Sequence, residues 1–433
     1  MFKSFFNFVE RFVPIPYEPR TSFSGADALL ALLMGFLAIA ISIYGSNFFD
    51  PAIYEMRGFN IWFQADPPRV ISAMNDPAST WHYRTSVHPL FSLLSTPLTG
   101  LLTANGFDVL QVGRGIMAAC GFLAAGSLLL ALRGLGLPRA AATLFTGVFL
   151  ASATYIHWFS LTETYAPAAV TTAIVLLVLT SVGADRWFVW LVASVGALAV
   201  TVTNWAVALT STVCRLGLKK AISLNIAALL VVVALATAQK ALYPNTKLFF
   251  LPGELIDELR YTQIYSEVKR TGSWTPFSNI WSVAVTSAVT PAPQEVNQVD
   301  NSGKPVARIV SNQSSPLGSH GVIGWIALGS WLLVLAAGTL GGLANVERRA
   351  VFSAISLFLL SQSALHAVYG EITFLYAANF FPALVLFAAF SWFSRLRSPA
   401  VIAAIAFVVC GGVSNFMQFK AAVQIANTLV LGR

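Results

Sequence analysis

The sequence has little charge for its length, and what it lacks excludes several kinds of protein. Only 10% of its 433 residues are charged, against about 25% in soluble domains. Its three cysteines, Cys120, Cys214 and Cys410, lie apart in apolar stretches with no CxxC spacing, which argues against a disulfide framework and against a zinc site. No internal repeat stands out, and this weakens an interpretation as a transporter built from inverted repeats.

The chain is instead rich in long apolar runs. Hydrophobic residues make up 56% of it, and a helix needs about 20 residues to cross about 30 Å of hydrocarbon. The runs predict an all-α polytopic membrane protein with about eleven transmembrane helices, within a range of about 10 to 13. We expect these helices near residues 26–44, 109–132, 140–157, 165–183, 187–202, 205–217, 221–242, 321–342, 350–369, 373–393 and 399–417. The segment Pro89 to Ala104 is short and contains Pro97, so we expect a re-entrant or steeply tilted helix there.

The basic residues predict how the chain is oriented. The net charge of +8 is spread over short clusters between the apolar runs, which is typical of topology signals and not of a nucleic-acid-binding surface. Placing Arg133, Arg139, Arg348 and Arg349 in the cytoplasm puts the N-terminus inside and the C-terminus outside. Residues 1–25 mix aromatic and basic side chains without a cleavable signal, so they predict an interfacial segment. This pattern fits a multi-pass protein of a bacterial inner membrane, in contact with its lipids and with no nucleic-acid partner.

The topology divides the chain into four regions: residues 1–25, a transmembrane module at 26–242 that contains a charged loop at 45–88, a late loop region at 243–320, and C-terminal helices at 321–433. Both loops are expected outside the cytoplasm. Four polar residues at helix ends are expected on the same side: Glu163, Asn204, Lys240 and Glu371. In the late region, an alternating pattern on either side of an NSGK turn predicts a β-hairpin, after a stretch with helical spacing.

The loop at 45–88 concentrates the charge of the chain beside the first transmembrane helix, and such a concentration is a candidate site. It holds four acids, three arginines and two of the five histidines: Asp50, Glu55, Asp66, Asp76, Arg57, Arg69, Arg84, His82 and His88. Arg69, Arg84 and a switchable His88 could bind a lipid phosphate, and a carboxylate could accept a proton from a hydroxyl. The alternative is that these charges are solvated or paired structurally, and Asp76 in its NDP sequence is typical of a turn.

One stretch of this loop carries a family resemblance. The sequence Ala65-Asp66-Pro67-Pro68-Arg69-Val70, followed by Met74 and by His88-Pro89-Leu90 at a helix start, resembles the first extracytoplasmic loop of GT-C superfamily glycosyltransferases. The likeness is to the branch of the lipid A aminoarabinose transferases and protein O-mannosyltransferases. That branch has an acidic residue in such a loop and a His-Pro-Pro or Lys-Pro-Pro motif at the next helix. Here the motif has one proline, and proline follows Asp66 in place of glutamate.

The resemblance implies a chemistry and a set of residues. The reaction would be an inverting transfer of a sugar from a polyprenyl-phosphate donor to a glycan, lipid or protein acceptor, with a carboxylate as general base. Asp66 is the predicted base because it stands in the motif-like position beside Arg69, and Asp50 is its rival. Glu163 is the predicted second acid of the catalytic set. Seven further residues would bind the donor phosphate (Arg69, Arg84, His88, Arg114) or support the site and acceptor (His82, Glu55, Glu371).

Two other functions stay open on the sequence: a flippase or transporter of lipid-linked sugars, and a glycan polymerase or ligase. A transporter would carry charges inside the bundle, whereas residues 323–343 and 351–365 contain no ionisable side chain. A polymerase would concentrate arginines in the late loop, where Arg260, Arg270 and Arg308 form no dense cluster. No cofactor is required. Four residues are of types that bind metals, but no spacing requires one: Asp66, Asp76, His82 and Glu163.

Overall fold

The structure, a computed structural model, describes residues 22–262, 276–299, 305–313, 315–370 and 372–432. It is mostly helical, and six of its helical segments are long and apolar enough to cross a membrane: Gly25–Ser46, Val109–Gly134, Leu218–Leu242, Gly318–Ala344, Thr373–Phe393 and Arg397–Leu431. Four apolar helices are shorter: Phe91–Ala104, Arg139–Ala151, Tyr165–Ser181 and Trp187–Val200. The prediction of an all-α membrane protein is confirmed at this level. The number of about eleven spans stays a prediction, and the predicted interfacial segment lies largely outside the described residues.

We number the α-helices of the described residues in chain order. They are α1 (Gly25–Ser46), α2 (Pro67–Asn75), α3 (Phe91–Ala104), α4 (Val109–Gly134), α5 (Arg139–Ala151), α6 (Ala153–Trp158), α7 (Tyr165–Ser181), α8 (Trp187–Val200), α9 (Trp205–Leu216), α10 (Leu218–Leu242), α11 (Pro252–Glu258), α12 (Pro276–Trp281), α13 (Gly321–Ala344), α14 (Arg349–His366), α15 (Ala377–Ala389), α16 (Arg397–Ala406) and α17 (Gly412–Leu431). The helices predicted near 165–183, 187–202, 205–217 and 221–242 correspond to α7, α8, α9 and α10.

The helices separate small residues from large ones in the way that a lipid environment favours. On α1, the small residues Ala31, Gly35 and Ala38 are buried, while Leu33 and Phe36 are exposed. A Cβ atom added at Gly35 would lie 2.5 Å from a ring carbon of Phe122 on α4. Small residues therefore let α1 and α4 approach closely, and large apolar side chains are left to face lipid.

One end of the bundle holds an ion cluster that involves the basic residues used as topology signals. Asp27, at the start of α1, accepts hydrogen bonds from Nε of Arg133 at 2.8 Å and from Nε of Arg139 at 3.0 Å. Arg348 donates to the carbonyl oxygen of Leu135 at the same end, at 2.7 Å. Because α1 has 22 residues and rises about 1.5 Å per residue, the charged loop after it begins about 33 Å away.

Two predicted helices differ from the observed ones. The helix expected at 140–157 is broken at Ser152, because α6 turns away and its first N–H groups, on Ala153 and Thr154, donate to the carbonyls of Ala288 and Ser287, both at 2.9 Å. These bonds satisfy the freed backbone groups inside the bundle. The helix expected at 399–417 instead continues through a π-turn at Phe407–Gly411 to Leu431. Its extension buries five residues on one face: Phe419, Ala422, Val423, Ala426 and Val430.

The late region contains the predicted hairpin. Strands β1 (Gln294–Val299) and β2 (Pro305–Ser311) pair antiparallel, with Val296 opposite Ile309, and the NSGK turn lies outside the described residues. The backbone N–H of Val310 donates to the carbonyl of Ile61 at 2.8 Å. The hairpin is therefore fixed to the charged loop at 45–88.

Candidate active site

A strained turn precedes Asp66. Asn60, Phe63 and Gln64 all have left-handed backbone conformations, with φ of 64°, 49° and 65°, which non-glycine residues seldom adopt. The turn is held because the side chains of Trp62 and Phe63 are fully buried and the N–H of Ala65 donates to the carbonyl of Trp62 at 2.7 Å. Left-handed residues of this kind concentrate at functional sites, where the surrounding structure maintains them.

Asp66, Arg69 and Glu163 form a buried network. Asp66 is the N-cap residue of α2, but its carboxylate caps no helix N–H and instead accepts from Nε of Arg69 at 3.1 Å. The backbone N–H of Asp66 donates to Oε1 of Glu163 at 2.8 Å, and Nη2 of Arg69 lies 3.6 Å from that same oxygen. The side chains of Arg69 and Glu163 are only 4% and 1% exposed. Two acids that lie 97 residues apart in the sequence thus share one buried arginine.

One oxygen of Asp66 is left free within this network. Its Oδ1 atom is buried and has no hydrogen-bond partner among the described residues. Burial raises the pKa of Asp66; the Arg69 charge lowers it, the Glu163 charge raises it, and the net pKa is above the ordinary value. A carboxylate with an unsatisfied oxygen and a raised pKa is suited to accept a proton.

His88 is neutral in this arrangement. Its Nδ1 atom lies 3.0 Å from the carbonyl oxygen of Val200, which can only accept, so Nδ1 carries the proton. Its Nε2 atom lies 3.2 Å from the hydroxyl of Thr164, which also contacts Glu163. Burial and the nearby arginine charges lower the pKa of His88 to about 3. The expectation that His88 adds a switchable positive charge for phosphate is therefore corrected, because the ring is uncharged near neutral pH.

Asp66 opens into a polar cavity of about 340 Å³. The cavity is lined by three of the predicted site residues besides Asp66, namely Arg69, Arg84 and His88, and by a ring of tyrosines: Tyr83, Tyr165, Tyr261, Tyr369 and Tyr376. A site with fixed cations, one free carboxylate oxygen and many phenols can hold an anionic, hydroxyl-rich ligand.

Arg84 is held by a residue that our sequence reasoning missed. Its Nη1 atom lies 3.2 Å from Oε1 of Glu258, at the end of α11, and Glu258 also accepts from the hydroxyls of Ser86 at 3.2 Å and Tyr369 at 3.0 Å. Burial by itself would lower the pKa of Arg84, but the Glu258 carboxylate, together with Tyr369, Tyr261 and Tyr165, raises the pKa overall. The mixed charge of the segment 252–261 was the available signal, but the pattern does not distinguish Glu258 from Glu254 or Asp257.

The other predicted site residues that the structure describes do not line this cavity. Asp50 caps the turn Pro51–Tyr54 by accepting from the N–H of Ala52 at 2.9 Å, and its own N–H donates to Asn427 at 3.0 Å. Glu55 pairs with Arg57 at the surface, at 2.6 Å.

Two more predicted residues have contacts elsewhere in the fold. His82 is buried between the carbonyl of Asp76 at 2.9 Å and the hydroxyl of Ser92 at 2.7 Å, which is a structural arrangement. Arg114 lies over the ring of Tyr54, 5.9 Å from its centre. Glu371 lies outside the described residues.

A second, apolar cavity of about 190 Å³ borders the site. It is lined by residues of α2, α3, α4 and α7, among them Val70, Leu94, Met117 and Pro167. Thr164 and Val200 line it too, and both contact the ring of His88, which faces the polar cavity. His88, on the polar cavity, therefore contacts two residues that line the apolar one, and the two cavities are neighbours.

Among the described residues, no group of three or more His, Cys, Asp or Glu side chains could hold a metal ion. Searches against family models, curated proteins and solved structures find no match for this chain.

Proposed function

We propose that the protein is an integral-membrane glycosyltransferase of the GT-C type, which moves a sugar from a polyprenyl-phosphate donor to the hydroxyl of an acceptor outside the cytoplasm. The observation that carries the proposal is Asp66, which lines a polar cavity next to an apolar one and whose buried Oδ1 atom has no hydrogen-bond partner among the described residues. An amphiphilic substrate needs both environments, one for its phosphosugar and one for its chain.

In this proposal Asp66 is the general base. Its Oδ1 atom accepts the proton of the acceptor hydroxyl as that oxygen attacks the anomeric carbon from the face opposite the phosphate, so the configuration inverts. The bond between the anomeric carbon and the phosphate oxygen breaks, and polyprenyl phosphate leaves. Arg84 and Arg69 stabilise the developing phosphate charge in a largely desolvated cavity.

The remaining residues position these groups. Glu163 binds both the backbone of Asp66 and the side chain of Arg69, so it fixes the base relative to the cation. His88, being neutral, contributes a wall between the sugar phosphate and the lipid chain. The proposal includes about eleven spans, a cytoplasmic N-terminus and an inner-membrane location, as the basic clusters predict.

The test is glycosyl transfer in membranes that carry the protein, with a panel of radiolabelled polyprenyl-phosphate sugars. We expect wild type to consume one donor, and Asp66→Asn to reduce turnover by at least about 100-fold while donor binding survives. Asp50→Asn, the matched change at a capping residue of the same loop, should leave the rate within about twofold.

Three results would redirect the proposal. Loss of turnover only with Asp50→Asn would move the base to that residue. Consumption of no donor, together with protein-dependent crossing of lipid-linked sugar through the bilayer, would favour a flippase. If no donor is consumed and no lipid-linked sugar crosses the bilayer, the transferase proposal is wrong.

A further inference from the structure

Another cavity, of about 280 Å³, lies apart from the Asp66 site, and the proposed chemistry does not use it. It is lined by residues of α12, the π-turn Ser282–Thr286, the segment after β2 and the start of α13. The side chains that matter for its chemistry are Phe277, Trp281, Ser282, Asn312, Gln313 and His320. It shares no lining residue with the cavity around Asp66.

Four polar atoms of this lining have unused hydrogen-bonding capacity. Oγ of Ser282, Oδ1 of Asn312, Oε1 of Gln313 and Nδ1 of His320 are buried and have no partner among the described residues. Ser282, Asn312 and His320 are only 3%, 2% and 3% exposed. Buried polar groups without partners are uncommon because each loses its hydration, so four on one cavity indicate a hydrogen-bonding occupant.

The opposite ends of the two amides are fixed. Nδ2 of Asn312 donates to Oγ1 of Thr290 at 2.8 Å, and Nε2 of Gln313 donates to Oδ1 of Asn279 at 2.6 Å. Asn279 in turn donates to the carbonyl of His366 at 2.9 Å. The amide carbonyl oxygens are thus held as acceptors, so the occupant must donate hydrogen bonds.

The rest of the lining describes the class of occupant. Neither Asp, Glu, Lys nor Arg is among the described residues that line the cavity, so none of these residues offers a counter-charge to a charged group. Trp281 is half-buried, and Phe277 is 76% exposed beside it. Aromatic faces pack against apolar C–H surface, and polar groups around them select hydroxyls. A neutral sugar has both features.

We infer that this cavity binds one uncharged sugar residue. It faces the same end of the protein as the Asp66 site. His366, which Asn279 contacts, lies four residues before Gly370 of the Asp66 cavity, and β2 is bonded to the charged loop at Ile61. This inference rests on the proposed function. It implies that the acceptor is a glycan, one sugar unit of which binds in this cavity while another reaches Asp66.

The test is direct binding of methyl glycosides to the full chain, measured by saturation-transfer NMR and by titration. The four sugars are glucose, mannose, galactose and N-acetylglucosamine. Lipid nanodiscs are required, because alkyl maltoside detergents carry the kind of headgroup under test. Ser282→Ala removes a hydroxyl that has no hydrogen-bond partner among the described residues, so the protein should stay folded while binding weakens about fivefold. Ser211→Ala removes another buried, unpartnered hydroxyl, on α9 away from the cavity, and should change nothing.

Phe277→Ala changes an exposed side chain of the cavity and serves as a second test. It should weaken glycoside binding at least as much as Ser282→Ala does. The inference is wrong if the cavity binds none of the four glycosides. It is also wrong if wild type, Ser282→Ala and Phe277→Ala bind them equally. In either case the cavity holds water only. The transfer assay separates the two proposals. Glycoside binding that depends on Ser282 in a protein without transferase activity keeps the sugar site and overturns the proposed function, and active protein that binds no glycoside does the reverse.

Discussion

The two halves of the charged loop both carry acids and arginines, but their structures differ. From Asp50 to Arg57 the charges are local: Glu55 and Arg57 pair with each other, with side chains 58% and 54% exposed. From Asp66 to His88 the charges reach across the fold, to Glu163 and Glu258, over 97 and 174 residues of sequence. Exposed pairs contribute little because water screens them, whereas buried groups must be paired and fixed. The density of charge in the sequence therefore identifies the loop. The candidate site within it is identified by charged side chains that are buried and paired with residues distant in the sequence.

The strongest way to sharpen this comparison is to remove the acid that pairs with an arginine of each half. Glu163→Ala deletes the acceptor for both Asp66 and Arg69 and leaves a buried arginine short of a partner, so we expect a loss of about 3–5 kcal/mol in unfolding free energy. Glu55→Ala removes only an exposed charge and should leave the thermal midpoint unchanged. The measurement is thermal unfolding of both variants in the same lipid or detergent. Equal midpoints for the two variants would contradict the contrast.

The arginines offer the next test. Arg84→Gln removes a cation that lines the cavity, so the KM for the lipid-phosphate donor should rise about tenfold or more. Arg57→Gln, in the exposed half, should leave KM and kcat unchanged. Steady-state kinetics over donor concentration would check both. A rise in KM with Arg57→Gln would instead place a phosphate contact in the early half of the loop.

The pH dependence of activity tests the network around Asp66. Because burial raises the pKa of Asp66 and the proposed reaction needs its ionised form, activity should fall with decreasing pH at a midpoint above the ordinary aspartate pKa. The Glu163 charge raises that pKa and the Arg69 charge lowers it. Glu163→Gln should therefore move the acidic limb to lower pH, and Arg69→Gln should move it to higher pH. Profiles of kcat/KM against pH that shift in the same direction for both variants would exclude Asp66 as the titrating group.

The smallest effect concerns the carboxylate that holds Arg84. Glu258→Gln keeps acceptors for Ser86 and Tyr369 but removes the charge that neutralises Arg84, so donor phosphate should bind a few-fold more tightly. Glu254→Gln is the control, because Glu254 lies on the same helix and pairs with Lys247, at 2.7 Å, outside the cavity lining. Weaker donor binding in the Glu258 variant would indicate that Glu258 supports Arg84 more than it competes for it.

The sequence predicts part of the site for physical reasons. Asp66 and Arg69 are three residues apart at a helix start, so their pairing is local and readable. The choice between Asp66 and Asp50 is not readable, because it depends on which carboxylate is buried without a partner. Glu258 could not be singled out, since it lies 174 residues after Arg84 and their contact depends on the path of the chain between them. The same holds for the helix break at Ser152, which is stabilised by backbone groups from residues 287 and 288.

The tie between Asp50 and α17 bears on the order in which the protein matures. Asn427 accepts from the N–H of Asp50 and donates to the carbonyl of Phe48, both at 3.0 Å, across more than 370 residues. The charged loop leaves the ribosome early, yet this anchor is synthesised hundreds of residues later. During biogenesis the loop is therefore exposed on its side of the membrane without its final fastening. Chains that stop before α17 would reach the bilayer with their helices inserted and the loop loose, a state in which quality-control proteases could distinguish them from the finished protein.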